Sequence, residues 1–301
     1  MKNSMKKILV LGRIGQVGWE LQRTLATLGH VMAIDREEVD MSDADALIRA
    51  VREFSPHVIV NAAAYTAVDK AESETELAMA LNGRAPGILA EEAKRLKAIL
   101  VHYSTDYVYN GQLEVPYLEN HPTQPLNIYG HTKLAGDLAI EAVGGSSLIL
   151  RTSWVYGTRG KNFLLTMLKL AKERDQLKIV SDQIGAPTWS RLIAQSTAHI
   201  LAQCLAVPQD DSKWGVYHLT SGGQTSWCGF AEAIFERAKR QPGFKCPQVT
   251  PISASEYPVP AQRPQNSVLC NDKMYREFGV KMPTWDRALD LCMDELNAVI
   301  T

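Results

Sequence analysis

The sequence has little that would staple a small scaffold or create a long-range electrostatic field. Its five cysteines, at positions 204, 228, 246, 270 and 292, are odd in number and never spaced as C-x-x-C. Neither a disulfide framework nor a zinc site is expected from them, and reduced thiols in a cytoplasmic protein are. No sign of charge is in excess, since 32 Lys+Arg stand against 33 Asp+Glu for a formal net charge of −1. The basic footprint of a nucleic-acid binder, or of a protein drawn to an anionic membrane, is therefore missing. No stretch approaches the roughly 20 apolar residues of a membrane span. The opening MKNSMKKILVLG begins like an export signal, but its apolar run is only Ile8 to Leu11, the length of a strand. Internal repeats, low-complexity runs and linkers are lacking too. What is present, 301 residues with 46 % apolar and 22 % charged, suits a compact chain of about two domains' length. A small-molecule partner is the default, with no nucleic acid and no membrane.

Short apolar runs rich in β-branched residues recur: KKILVLG, VMAID, HVIVNAAAY, AILVHYS and SLILRTS. They are too short for helices and lack strict alternation, as expected of parallel strands buried on both faces. Helical segments are expected between them at 15–28, 44–54, 82–96 and 129–143. The alternation reads as an α/β fold, a doubly wound (Rossmann-type) parallel sheet over residues 1–155. Beyond that, helices at 163–172, 191–205, 230–239 and 287–299 mix with brief strands at 178–180 and 216–219. Nine of the 14 prolines fall after Thr158, which makes residues 156–301 a looser, smaller mixed α/β lobe, mainly for substrate. The chain is expected to cross between lobes, with the active site in the crevice they share.

GRIGQVG places Gly12, Gly15 and Gly18 directly after the first strand and at the start of the first helix. Glycines there allow a tight turn, close approach of backbone amides to a pyrophosphate, and helix-on-strand packing. The pyrophosphate would sit at the helix N-terminus, which favours anions. Asp35 ends the second strand about 20 residues on, where a carboxylate accepts from a ribose. It favours NADH, whereas Arg36 and Arg13 suit the 2′-phosphate of NADPH; the residues point both ways.

Tyr129 and Lys133 form Y-x-x-x-K on one helix face, and Ser104 and Thr105 end the AILVHY strand upstream. Ser/Thr at a strand end, then Tyr-x-x-x-Lys, downstream of a glycine turn, is the pattern of short-chain dehydrogenases and reductases. A phenol titrates near pH 10, and bringing it down three units takes roughly 4 kcal/mol of preferential phenolate stabilisation. A lysine ammonium and a positive nicotinamide in a dry cleft can supply that.

LGRIGQVGWELQR, VNAAAYTAVDKAES, HYSTDYVYNG, PLNIYGHTKLAGD, LRTSWVYG, NFLLTMLKLAKER, DQIGAPTW, YHL and RPQNSVL follow one another along nearly the whole chain. In that order they resemble the dTDP-4-dehydrorhamnose reductase family of the extended short-chain dehydrogenase/reductase superfamily. The resemblance implies NADPH- or NADH-dependent reduction of the C4 ketone of dTDP-4-dehydro-β-L-rhamnose, the last step of dTDP-L-rhamnose synthesis. It makes Tyr129 the catalytic acid, Lys133 its partner and ribose ligand, and Thr105 the tuning hydroxyl. Gly15, Gln16 and Val17 would hold the pyrophosphate, Asp35 the ribose, and the neighbourhood of Asp40 and Met41 the adenine. Ala63, Ala64 and Tyr65 would border the nicotinamide. Thr66, Val68, Asp106 and Trp154 would line the sugar-nucleotide pocket, with Trp154 packed on a hexose face and Arg263 as a diphosphate ligand.

Some members hold magnesium between subunits through acidic side chains, but here GAPT is followed by Trp189-Ser190-Arg191, with no carboxylate. That speaks against a structural metal and leaves monomer or homodimer open. Tyr109-Asn110 replaces the commoner Phe-Asp. Related dehydratases and epimerases share the fold and the Tyr/Lys pair, but dehydration commonly uses Asp-Glu directly after the Thr, where this chain has Asp106-Tyr107. A reductase giving the opposite C4 configuration, or an epimerase on another deoxysugar nucleotide, remains an alternative. So does a dinucleotide-binding regulatory subunit like the β subunit of methionine adenosyltransferase.

Overall fold

Strands buried on both faces need apolar residues at successive positions, and each of the five short runs satisfies that requirement. A computed structural model describes residues 5–206 and 213–300. Strand β1 (Lys6–Leu11) passes through the glycine turn into α1 (Gln16–Thr24), followed by β2 (Gly29–Ile34), α2 (Ala44–Phe54) and β3 (Val58–Asn61). Two short helices, α3 (Val68–Ala71) and α4 (Thr75–Met79), run through a π-helical turn at Ala80–Arg84 into α5 (Ala85–Leu96). Then come β4 (Ile99–Thr105), α6 (Ile128–Val143) and β5 (Ser147–Thr152). The second half carries β6 (Val155–Tyr156), α7 (Phe163–Glu173), β7 (Gln176–Val180), β8 (Ile184–Gly185), β9 (Thr188–Trp189) and α8 (Ser190–Ala206). It continues with β10 (Gly215–His218), β11 (Thr225–Ser226), α9 (Trp227–Ala238), β12 (Gln248–Ile252), α10 (Asp272–Phe278) and α11 (Trp285–Ile300).

Six strands form one parallel sheet in the order β10-β5-β4-β3-β1-β2. Side chains alternate between its two faces. Ile8, Val10, Val58, Val60 and Val101 meet Leu21 of α1, its C-cap Leu25, and Ile193 and Leu201 of α8. Leu9, Leu11, Ile59 and Leu100 meet Leu47 and Val51 of α2 and Leu89 of α5. The doubly wound α/β sheet expected from the sequence is thus present, covered on both faces. A second core, around Tyr156, Leu164, Met167, Trp189, Phe230 and Ile234, belongs to the later half. From β1 the chain goes to β2 on one side and β3 on the other, and the crevice beyond these strands' carboxyl ends is the site such sheets offer a ligand.

Three local readings change. The helix expected over 15–28 stops at Thr24. The helix expected over 82–96 begins as a π-helical turn, with Asn82 bonded to the backbone of Tyr65 and Pro86 in the first turn of α5. The strand expected at 216–219 is β10, and it joins the main sheet beside β5 rather than a sheet of the smaller lobe. Without it, β5 would present an open apolar edge. Among the described residues no helix is long and apolar enough to cross a membrane, and the cysteines are free thiols.

Candidate active site

The glycine turn has two internal constraints and one external one. Gly12 sits at φ +90°, and a Cβ there would lie 2.8 Å from the Ala63 amide nitrogen. A Cβ on Gly18 would lie 1.9 Å from the Gly12 carbonyl oxygen, so α1 packs on its own turn only because residue 18 has no side chain. Gly15 is different: its φ is −65°, and a Cβ would meet nothing closer than the Gly12 carbonyl oxygen at 3.3 Å. It is the N-cap of α1 and brings no side chain to the first-turn amides, which leaves Gln16 and Val17 able to face an anion. These residues fit a dinucleotide pyrophosphate. The Gln16 side chain itself accepts from Asn162 (2.9 Å) and ties α1 to the loop before α7.

Asp35, expected to face a ribose, holds the turn itself. Its carboxylate accepts from the Ile14 amide (2.9 Å) and the Arg36 amide (2.8 Å). Arg13 is paired with Glu38 at 2.6 Å, while the exposed Arg36 guanidinium has no partner among the described residues. Asp40 is turned back on Ser42, whose hydroxyl donates to it at 2.7 Å and holds its carboxyl below the usual range. Met41 is buried in the core beside Ile34 and Leu47, so neither side chain is free to read an adenine and any contact there would come from backbone. Ala63 and Ala64 follow β3 half-buried. The Tyr65 backbone is clamped by Asn82, and its hydroxyl donates to Glu74 at 2.6 Å, which pushes its pKa up to about 12.

Thr105, Asp106, Tyr107 and Tyr129 converge where β4 ends. Asn127 caps α6 by accepting from the Gly130 amide (2.8 Å), and Glu72 accepts from the Ile128 amide (2.9 Å), so both fix the turn that carries Tyr129. The Thr105 hydroxyl donates to Asp106 Oδ1 at 2.9 Å and accepts from the Tyr107 amide at 3.2 Å, beside the Tyr129 phenol. Tyr107 packs edge-on against the Tyr129 ring, with centroids 5.5 Å apart. Burial pushes the Tyr129 phenol up, partly offset by Thr105. Lys133 does not bond to that phenol. It is buried, and its ammonium donates to the Tyr103 carbonyl oxygen at 2.6 Å and stands 3.1 Å from His102 Nε2. Burial brings its pKa down to about 8. The phenolate stabilisation expected of Lys133 from the sequence is therefore not delivered by contact, because the lysine is held one layer deeper by β4.

Asp106 is buried and its pKa is pushed up to about 7 by that burial. A carboxyl whose folded pKa lies above its unfolded value binds a proton more tightly when folded. Its favourable contribution is complete below about pH 4 and is lost as pH rises through about 7. Urea unfolding of wild type and Asp106→Asn without added ligand is expected to show the wild type losing stability relative to the variant between about pH 4 and 7. Lys133 acts in a separate, higher window, because its lowered pKa makes stability rise with pH from about 8 upward.

The wall of the cleft is built from segments far apart in sequence. Arg263 holds Asp69 with both terminal nitrogens (3.0 and 2.8 Å) and also donates to the Ala261 carbonyl oxygen at 3.2 Å. The diphosphate ligand expected at Arg263 is therefore a guanidinium already answered by a carboxylate, and it joins α3 to the 260–264 segment. Thr66 is exposed and Val68 half-buried beside it. Trp154 follows β5 at φ +44° and stacks on Trp227 at 3.5 Å between centroids and 4° between planes. A hexose cannot pack on the face that Trp227 covers. Arg191, in the segment without a carboxylate, pairs with Glu20 (3.2 Å) and Glu295 (2.5 Å).

Sequence reasoning missed Asp69, Glu72, Tyr107, His102, Asp137, Arg151 and Trp227. The first two lie inside VDKAES, and their roles become visible only when Arg263 and Ile128 are brought beside them. Asp137 had a signal: it continues the i, i+4 series from Tyr129 and Lys133 along one face of α6.

A family model described as the RmlD substrate binding domain matches residues 5–298. A curated dTDP-4-dehydrorhamnose reductase of Burkholderia thailandensis is 51 % identical over 294 residues, covering 96 % of this chain and 99 % of that protein. Two crystal structures are similar throughout. That of the dTDP-4-dehydrorhamnose reductase of Clostridium acetobutylicum has a TM-score of 0.88 at 35 % identity, covering 97 % of this chain and 99 % of the other. That of the Bacillus anthracis enzyme in complex with NADP has a TM-score of 0.87 at 34 % identity, with the same coverage. Full-length matches of this identity, on a chain whose cleft assembles Thr105, Tyr129 and the glycine turn, place it in the dTDP-4-dehydrorhamnose reductase family.

Proposed function

We propose that this chain reduces the C4 ketone of dTDP-4-dehydro-β-L-rhamnose to dTDP-L-rhamnose, using NADPH or NADH. The observation that carries this reading is the convergence of Thr105, Asp106 and Tyr129 at the end of β4, in a chain half identical to a reductase of that name. When bound, the dinucleotide supplies the hydride. Tyr129 gives its proton to the substrate oxygen, and Thr105 holds that oxygen in line. Asp106, whose second carboxylate oxygen has no partner among the described residues, accepts from a sugar hydroxyl. Lys133 keeps a positive charge one turn below the phenol, favouring proton release and ribose binding. The amides of Gly15, Gln16 and Val17 hold the pyrophosphate, Asp35 the ribose, and Arg36 is the guanidinium available to a 2′-phosphate.

The position after Thr105-Asp106 carries a phenol, Tyr107, and not the second carboxylate that dehydration needs, so simple reduction is favoured. The expected result is oxidation of NADPH or NADH by the purified protein when dTDP-4-dehydro-L-rhamnose is added, with NMR giving the C4 configuration of the product. Absence of dinucleotide oxidation overturns the reading. The opposite C4 configuration replaces it with the alternative reductase.

A further inference from the structure

Trp154 is held by more than its own strand. Its backbone lies at φ +44°, a conformation that a bulky residue keeps only when its surroundings impose it. One face of the indole is covered by Trp227. The other is covered by Gly185: a Cβ there would lie 2.4 Å from Trp154 Cε2 and 2.7 Å from both Nε1 and Cζ2. A point outside the ring but in its plane would lie nearer Nε1 and Cζ2 than the fusion atom Cε2 between them, so a point nearest Cε2 stands above the ring, not beside it. The two covers are also joined, because β8 and β11 pair antiparallel with Gly185 opposite Thr225. Trp227 follows as the first residue of α9, capped by Ser226 and backed by Phe163 at 4.7 Å. The GAPT segment closes the grip, with the Thr188 amide donating to the Trp154 carbonyl oxygen and the Ser153 hydroxyl donating to that of Ala186.

We propose that Trp227 is a positioning residue that, with Gly185, clamps the Trp154 indole so that its edge, and not its face, meets the sugar of the nucleotide-sugar substrate. This deepens the proposed function and rests on Trp154 lining that site. An edge-on indole offers a directional N–H and a rigid rim, which select a hydroxyl position, whereas a ring face would accept any apolar hexose surface.

The test uses the full chain and compares Trp227→Ala, Trp227→Phe and Trp154→Ala in the reductase assay. For Trp227→Ala, KM for the nucleotide sugar is expected to rise about three- to tenfold, the worth of one aromatic stack. The kcat and the KM for NADPH should stay unchanged, and the exciton couplet that two face-to-face indoles give in far-ultraviolet circular dichroism should disappear. Trp227→Phe should restore most of KM without the couplet, separating support of Trp154 from a general loss of structure. If Trp154→Ala raises KM and Trp227→Ala does not, the clamp is overturned while the reductase reading stands. If neither raises KM, Trp154 does not touch the sugar and the proposal fails with it. A wild type without reductase activity is instead the failure of the functional reading. Should Trp227→Ala not fold, the wild-type couplet decides: it is expected to persist at saturating nucleotide sugar, and its collapse on binding overturns a fixed clamp.

Discussion

Replacing Tyr129 with Phe is expected to lower kcat by about 100- to 10,000-fold, the usual contribution of a positioned acid. The Kd for NADPH, followed by fluorescence titration, should be essentially unchanged. The substitution removes one oxygen and keeps the ring packed against Tyr107. What is lost is the phenol oxygen beside Thr105, the proton donor of the proposed mechanism. The cradle at Gly12, Gly15 and Asp35 is built from other elements, so dinucleotide binding does not depend on that oxygen. Full activity in Tyr129→Phe would remove this residue from the chemistry. Equal weakening of kcat and of NADPH binding would make it a structural residue.

Arg151→Met is expected to destabilise the protein by about 3–5 kcal/mol, read from urea midpoints, because it strands a buried charge. Arg151 Nε donates to Asp137 Oδ2 at 3.2 Å, and both side chains are almost fully enclosed, 4 % and 0 % exposed. Ser104 donates to the same carboxylate oxygen at 2.8 Å, and Arg151 also donates to the Tyr109 hydroxyl at 2.9 Å. Without the guanidinium, Asp137 has no matched cation in contact, and it takes up a proton instead of staying ionised. The deficit should therefore shrink as the pH is lowered, since protonation relieves the uncompensated charge. Adding Asp137→Leu should recover most of the loss, because a buried pair replaced by apolar side chains is nearly neutral in stability. A loss below about 1 kcal/mol for Arg151→Met would show that the pair is worth no more than a surface salt bridge. Asp137 also faces Lys133 and favours its charged form, so the pair supports the catalytic helix electrostatically as well as mechanically.

Much of the fold was legible because the signals that carry it are local. The five strand runs and their intervening helices follow from apolar residues at successive positions and from helix periodicity, and they fell close to where expected, apart from the first helix ending at Thr24 and the π-helical turn before α5. The glycine turn was legible in part for the same reason: Gly18 answers a contact with Gly12 six residues before it, whereas Gly12 answers the distant approach of Ala62 and Ala63. Met41 shows the limit of carrying roles along a motif. The resemblance assigned its neighbourhood to adenine, yet its side chain is drawn into the core by Ile34 and Leu47. Lys133 shows another limit, since its spacing from Tyr129 set the helix face but not which group the ammonium meets.

The sequence by itself determined the α/β class, the order of the strands that carry the cofactor turn, and the Thr105, Tyr129 and Lys133 constellation, because periodicity and spacing act over one or two turns of chain. Only the tertiary structure decided that residues 215–218 close the main sheet, that Arg263 is held by Asp69, that Arg151 of β5 is buried against Asp137 of α6, and that Trp154 is gripped between Gly185 and Trp227. Each of these is a pairing between residues separated by tens to hundreds of positions. Such pairings are set by which surfaces are left to bury or charges left to neutralise once the local elements have formed, and no pattern within a single segment encodes that.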